Sequence, residues 1–519
     1  MLAVAAFTMG KVAQAADLPM RAKAVEHVRI CSLYGAGFYY IPGTDTCIKL
    51  GGYLRVDVVA NSNSDNGGNV FGQGGAKNRY TNGFTTRSRE DFNIDTRTQT
   101  EYGVVRTQTF LTSSWTTGNY TGAGAGTTAY DSVPGTTGPG AVGGGGLGVY
   151  LTFLQFAGFT IGKAWSPFSM PWQNYPGNTF DGLVGGGGTV TGVNQFTYSF
   201  DLGSGNRLTF SAQDPVAYYQ AGVQNLGTLG AGGAGGGALG IFGASDYGGS
   251  VSPDFVAAFR ADRPWGMFKL AAAAHDNHAA YYGNGAPGSG SEPWGHPKDL
   301  WGYALAAGLT IKNVPADGDS INVQGVYTNG ATRYNIQDLA SQYGAVTLFG
   351  SSKNPLAYQG LAINAAPDTV FVTGSQQHAI QTWGAQGGYN HNWDPYWSSS
   401  AYGAWAKVQY DGFSKTAICG TAQNGAASGG TFLPVFGLTG VAGGGTCNPD
   451  HQIVQGGLVT RWTPVRGLAF SADVTWSHIH QKNSGLILAA SPTLGKPAGF
   501  YELKNQDNVL LLLRAQRNW

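Results

Sequence analysis

The chain has 519 residues, 83 of them glycine, with 12% aromatic and 11% charged residues and a formal net charge of +1. Globular chains average about 25% charged residues and about 7% glycine, so an ordinary soluble domain fits poorly, and the balanced charge gives no basic footprint for nucleic acid. A mean hydropathy of −0.14, with no run near the ~18 apolar residues of a helical span, excludes a helical membrane protein; the aromatic content argues against disorder.

From the N-terminus, Leu2 to Met9 is a short apolar run. Ala13-Gln14-Ala15 then reads as a cleavage signal, so residues 1–15 form an export leader and the mature chain starts at Ala16. The leader lacks its basic start, as a start codon assigned too late would produce. Cys31 with Cys47 and Cys419 with Cys447 form two local pairs. Export to an oxidising compartment turns both into disulfides, each contributing about 3 kcal/mol by restricting the unfolded chain. Metal ligation is a poor reading of these cysteines, because no CxxC or histidine spacing accompanies them. Residues 16–47 are an N-terminal segment stapled by the first disulfide, and the folded body runs over 48–519.

That body reads as short strands of period two. Leu50, Leu54, Val56 and Val58 alternate with Lys49, Tyr53, Arg55 and Asp57. From Arg89 to Tyr102, Arg89, Asp91, Asn93, Asp95 and Arg97 take one face, and Phe92, Ile94 and alternate threonines take the other. Similar alternation covers Gln195–Phe200, Leu208–Gln213, Trp301–Leu309 and Leu468–Trp476. No segment sustains a 3.6 period. A soluble sheet would bury the apolar face; a membrane barrel turns it toward lipid and its polar face toward a wet lumen.

The connections alternate between short and long. Turn chemistry marks seven short ones: 101–103, 157–158, 203–205, 263–266, 315–319, 394–395 and 464–467. Eight long ones, rich in Gly, Ser, Thr and Asn, run about 61–87, 113–148, 165–193, 215–252, 276–298, 329–377, 411–450 and 479–505. The count predicts an all-β transmembrane antiparallel barrel of about sixteen strands, a size that leaves an aqueous channel. Trp265, Trp393, Trp397, Trp462 and Trp519 flank short turns or the C-terminus, where an interfacial girdle belongs. The strand-like run ending on Trp519 suits a last strand that closes on the first, with its terminal aromatic in that girdle.

The segment Cys31-Ser-Leu-Tyr-Gly-Ala-Gly-Phe-Tyr-Tyr-Ile-Pro-Gly-Thr-Asp-Thr-Cys47, followed by Ile48-Lys-Leu-Gly-Gly-Tyr-Leu-Arg55, resembles the N-terminal signature of alphaproteobacterial (rhizobial-type) outer-membrane porins. Asp95-Thr-Arg-Thr-Gln-Thr-Glu-Tyr-Gly103, Gln155-Phe-Ala-Gly-Phe-Thr-Ile-Gly-Lys163 and the ending Arg514-Ala-Gln-Arg-Asn-Trp519 are similar to the same family. The resemblance implies a homotrimer embedded in outer-membrane lipid and lipopolysaccharide, passing small hydrophilic solutes and ions, with the third long loop folded inward and Trp519 as the terminal assembly signal. Two features depart from the family: the loops are longer and richer in glycine, and the inward loop carries few acids. A substrate-selective channel of the same fold is the alternative reading.

The inward loop, Trp165 to Val193, holds one acid, Asp181. Arg55, Arg89, Arg97 and Arg106 lie on the polar faces of the first strands, partly offset by Asp57, Asp91 and Asp95. These five residues, Asp181 and the four arginines, are the expected constriction, and its excess of positive charge predicts a mild anion preference. The trimer flank is expected on the first and last strands, at Gly51, Gly52 and Leu510–Leu513. Catalytic and cofactor-binding constellations are not expected. His275, Asp276 and His278, and the pair His478 and His480, lie at loop edges and read as solvated histidines rather than metal sites. Asp317-Gly318-Asp319 reads as a turn, and Gly185–Gly188 lacks the Lys-Ser/Thr of a phosphate loop.

Overall fold

The alternating segments become strands in a computed structural model, whose described residues are 29–60, 75, 77–79, 83–116, 146–188, 191–216, 219–228, 244–284, 289–336, 345–419, 445–489 and 496–519. Among them, sixteen antiparallel strands form the wall: β1 Thr46–Ala60, β2 Phe84–Thr100, β3 Gly103–Thr116, β4 Gly146–Phe156, β5 Phe159–Ala164, β6 Val193–Gly203, β7 Asn206–Gln213 and β8 Asp254–Arg263. The second half comprises β9 Gly266–Asn277, β10 Leu300–Lys312, β11 Ser320–Asn329, β12 Gln381–Asn392, β13 Trp397–Gln409, β14 His451–Val465, β15 Leu468–Gln481 and β16 Gln506–Asn518. Each pairs with its sequence neighbour, and β16 closes on β1 in a register from Tyr53 opposite Asn518 to Ala60 opposite Leu511. Closure leaves no open strand edge to be satisfied in hydrocarbon. The expected leader, residues 1–15, lies outside the described residues, as does most of the expected long loop 113–148.

The seven tight connections cluster at the end where β1 begins and β16 stops. Ala157-Gly158 and Ser204-Gly205 have positive φ at both central residues, the turn geometry that matches the twist of a two-residue hairpin. Trp519 extends this end, exchanging two 3.1 Å backbone hydrogen bonds with Gly52. Trp397 and Trp462 stack outside the wall with centroids 6.1 Å apart, and Phe470 continues the belt. The wall begins at Thr46, two residues before the expected start, so Cys47 lies inside β1 rather than ahead of it. The Cys31–Cys47 and Cys419–Cys447 disulfides span Cα separations of 6.0 and 5.6 Å.

Alternation sorts the two faces. On β10, Trp301 and Leu305 are 50% and 49% exposed, whereas Ala304 and Ala306 are 0% and 7%. The first set faces lipid and the second faces inward. The inward face is not uniformly polar, however. Val59, Tyr402, Ala406, Val408, Ile453, Leu510 and Leu512 point inward near the outer mouth and pack with Leu348, Leu361, Ile363 and Val370 of the 330–380 connection. The long connections carry strands of their own. Residues 345–350 and 359–365 join 485–489 and 499–503 in a small four-stranded sheet. A second four-stranded sheet combines 223–225 and 244–245 with 369–371 and 378–379. Apolar strand sequence within these loops needs a surface to bury against, and the inward wall supplies it.

Candidate pore constriction

The connection between β5 and β6 crosses the lumen, and its contacts trace its path. Lys269 of β9 donates to the Ser169 carbonyl at 2.5 Å. Asn390 of β12 donates to the Pro176 carbonyl at 2.9 Å, and Arg461 of β14 to that of Gly177 at 2.6 Å. Asp473 of β15 accepts from the Thr179 amide and hydroxyl at 2.7 and 2.8 Å. Asp181 then reaches Arg87 of β2, three strands further round the wall from β15, and Val184 returns to Gln455 of β14 at 2.9 Å. Here the Gly185–Gly188 run finds its purpose. A Cβ on Gly185, at φ +89°, would lie 2.3 Å from the Ala385 carbonyl oxygen, and one on Gly188 would lie 2.5 Å from Gln173 backbone. The glycines let the loop backbone press against the wall and against itself.

Asp181 accepts from Arg87 Nη1 at 2.7 Å and from the Tyr175 hydroxyl at 2.8 Å. Arg87 also holds Asp57 at 2.7 Å, and Arg514 donates to Asp57 at 2.6 Å. Burial alone would raise the Asp181 pKa; Arg87, with Arg89 and Arg514 nearby, holds it well below the usual carboxylate range. A carboxylate paired this way ties the loop to the wall and contributes little free charge to the passage.

The expected arginines divide into two groups. Arg55 donates to Gln516 at 2.8 Å and Arg89 to Ser114 at 2.8 Å, both on the wall that Asp181 approaches. Arg97 and Arg106 lie nearer the short-turn end and share Asp95, each at 2.9 Å. Sequence reading missed Arg87, which fell inside the loop assigned to 61–87; β2 starts at Phe84, so the arginine belongs to the wall. Arg514, Arg461 and Asp473 were also missed. Counting by twos from a lipid-facing Leu513 would have turned Arg514 inward. Leu510 and Leu512 are buried and face inward, so only alternate members of the 510–513 run can belong to an outer flank.

The histidines separate as well. His275 is not a solvated loop residue. It lies in β9 with no exposed surface, its Nδ1 2.8 Å from Asp254 and its Nε2 3.6 Å from Asp368. His478 contacts Asp507 at 2.9 Å, and His480 accepts from Asn505 at 2.8 Å. Asp319 sits in the 313–319 turn and is held to His391 at 2.8 Å.

A closed sixteen-stranded wall, largely apolar outside, lined with charges inside and crossed by an inward loop, is the architecture of a β-barrel of the bacterial outer membrane. The family model described as the Porin subfamily matches residues 17–512, and the chain belongs to that family. Over 117 residues, 22% of this chain, it is 38% identical to Porin Omp2a of Brucella abortus (strain 2308). It is 36% identical over the same length to Porin Omp2b of Brucella suis biovar 1 (strain 1330). The matched stretches span 33% and 29% of those relatives. Among solved structures, the outer membrane channel DcaP of Acinetobacter baumannii aligns with a TM-score of 0.51 at 14% identity, covering 92% of this chain and 99% of that one. The likeness is one of fold.

Proposed function

We propose that the protein is a general diffusion porin, a water-filled passive channel for small hydrophilic molecules and ions across the outer membrane. The observation that carries this reading is the closed wall with charged residues on its inner face: Arg55, Arg89, Arg97 and Arg106 line a lumen that no hydrocarbon could fill. Transport then consists of exclusion by the inward loop and bias by fixed charge, without a chemical step. Family membership supports a channel rather than an enzyme.

The working unit of this reading is a homotrimer. Its support is an uneven outer face. Over β7–β13 that face is apolar apart from Lys407 of β13, with Leu208, Phe259, Leu270, Leu305, Tyr327 and Trp405 turned outward. Over β2–β4 it carries Glu90 and the hydroxyl pairs Thr96–Thr107 and Thr109–Thr152. Polar groups on a lipid face are costly, and contact with neighbouring copies would cover them. Liposomes bearing the protein should swell in small sugars and amino acids at rates that fall with solute size. Vesicles that do not swell in any of these solutes would refute the channel.

A further inference from the structure

Beneath the inward loop, on the β3–β9 side, two cavities of about 290 and 470 Å³ meet at Gln155, Thr160, Ser199 and Arg207. Three basic residues stand side by side on the wall where they meet. Arg207 of β7 is directly opposite Arg260 of β8, and Arg260 is directly opposite Lys269 of β9. Directly opposed side chains have Cβ atoms about 5 Å apart, and like charges in that relation destabilise a sheet. A row of three is therefore a cost that barrel folding does not require.

The neighbouring acids leave the row partly uncompensated. Arg260 is clasped by Asp262 at 2.7 and 2.8 Å. One N–H of Lys269 is taken by the Ser169 carbonyl. The Arg207 guanidinium makes no hydrogen bond or ion pair among the described residues; Asp201, opposite it on β6, accepts the Gly203 amide at 2.9 Å. Around the row lie the hydroxyls of Thr197, Ser199 and Thr209, and the loop side presents Trp165, Pro167 and Pro171. Guanidinium forks are suited to planar or tetrahedral oxyanions, hydroxyls complete the shell, and the indole and prolines offer apolar contact to a short carbon skeleton.

We propose that Arg207, Arg260 and Lys269 form a subsite at which a small oxyanion, a carboxylate or a phosphate, dwells during transit. This rests on the channel reading. It differs from the Asp181 crossing, whose charges are already paired with one another.

The test records single channels of the purified protein in KCl while inorganic phosphate is added in one arm and succinate in the other. Occupancy should interrupt the KCl current in a concentration-dependent way. Block by phosphate alone assigns the subsite to phosphate-bearing solutes, block by succinate alone to carboxylates, and block by both to oxyanions generally. In Arg207→Gln/Arg260→Gln the blocking concentration should rise at least ~10-fold, because both guanidinium forks that would bind the oxyanion are lost. Arg207→Lys, which keeps the charge and the wall, should retain most of the block. Lys407→Gln, which removes a cation lying over Trp383 on the outer face, should leave block unchanged. A channel that conducts KCl normally but is blocked by neither anion overturns the subsite and leaves the channel standing. Equal block in the parent and the double variant also overturns it.

Discussion

Asp181→Asn tests whether the inward loop is held by charge. The substitution keeps the size of the side chain and an oxygen for the Tyr175 hydroxyl, but it removes the charge that faces Arg87 at 2.7 Å. Hydrogen bonds to charged groups are worth ~1.5–3 kcal/mol. The Asp181 side chain is 22% exposed, and partial screening brings the loss to about 1–2 kcal/mol. Arg87 keeps Asp57 at 2.7 Å, so no buried cation is stranded. The population in which the loop leaves the wall should then rise about 5–30-fold. Hydrogen exchange followed by mass spectrometry on peptides covering 173–188 in detergent micelles reads this directly. Asp473→Asn should act more strongly, because that buried carboxylate accepts from both Thr179 donors and from the Tyr402 hydroxyl at 2.6 Å. Exchange in Asp181→Asn that matches the parent, or that exceeds Asp473→Asn, would refute charge pinning.

Acid should act on the same link. The Asp181 carboxyl titrates below its unfolded value of ~3.9, so its contribution is complete at neutral pH and is lost as pH falls through the lowered value. Open-channel noise should therefore stay flat from pH 7 to about 4.5 and grow in stronger acid; growth centred near pH 6 would contradict the assignment. Arg97→Gln or Arg106→Gln alone leaves Asp95 with one guanidinium, so each should shift the reversal potential slightly. The double substitution leaves that carboxylate unpaired and should shift preference toward cations by more than the two single effects combined; an unchanged reversal potential would remove these arginines from ion selection. Deleting Trp519 removes its backbone pair with Gly52 and its ring contact with Phe92 at 5.7 Å. It should slow assembly of the heat-resistant species on SDS gels, and wild-type assembly rates would refute the terminal aromatic as an assembly element.

Much of the architecture is local in origin and therefore written in the order of residues. Period-two alternation fixes which side chains share a face, and turn residues such as Ala157-Gly158 and Ser204-Gly205 fix where hairpins reverse. Together these determined the number of strands, the short and long ends, and the belt of Trp397 and Trp462. Two things belonged to the tertiary structure. The first is pairing across long separations. Arg87 meets Asp181 and Asp57 meets Arg514 because closure and the loop crossing bring distant strands together, and no spacing rule encodes those meetings. So Asp181, which reads in sequence as the inward loop's one acid, is a neutralised strut in the fold. The second is what fills the barrel. The alternation of β13, β14 and β16 tells which residues point inward, but not that Ala406, Ile453 and Leu510 there meet Leu361 and Ile363 of a distant loop. An inward position is polar only where water remains beside it, and which parts of the lumen keep their water is decided by the folded loops.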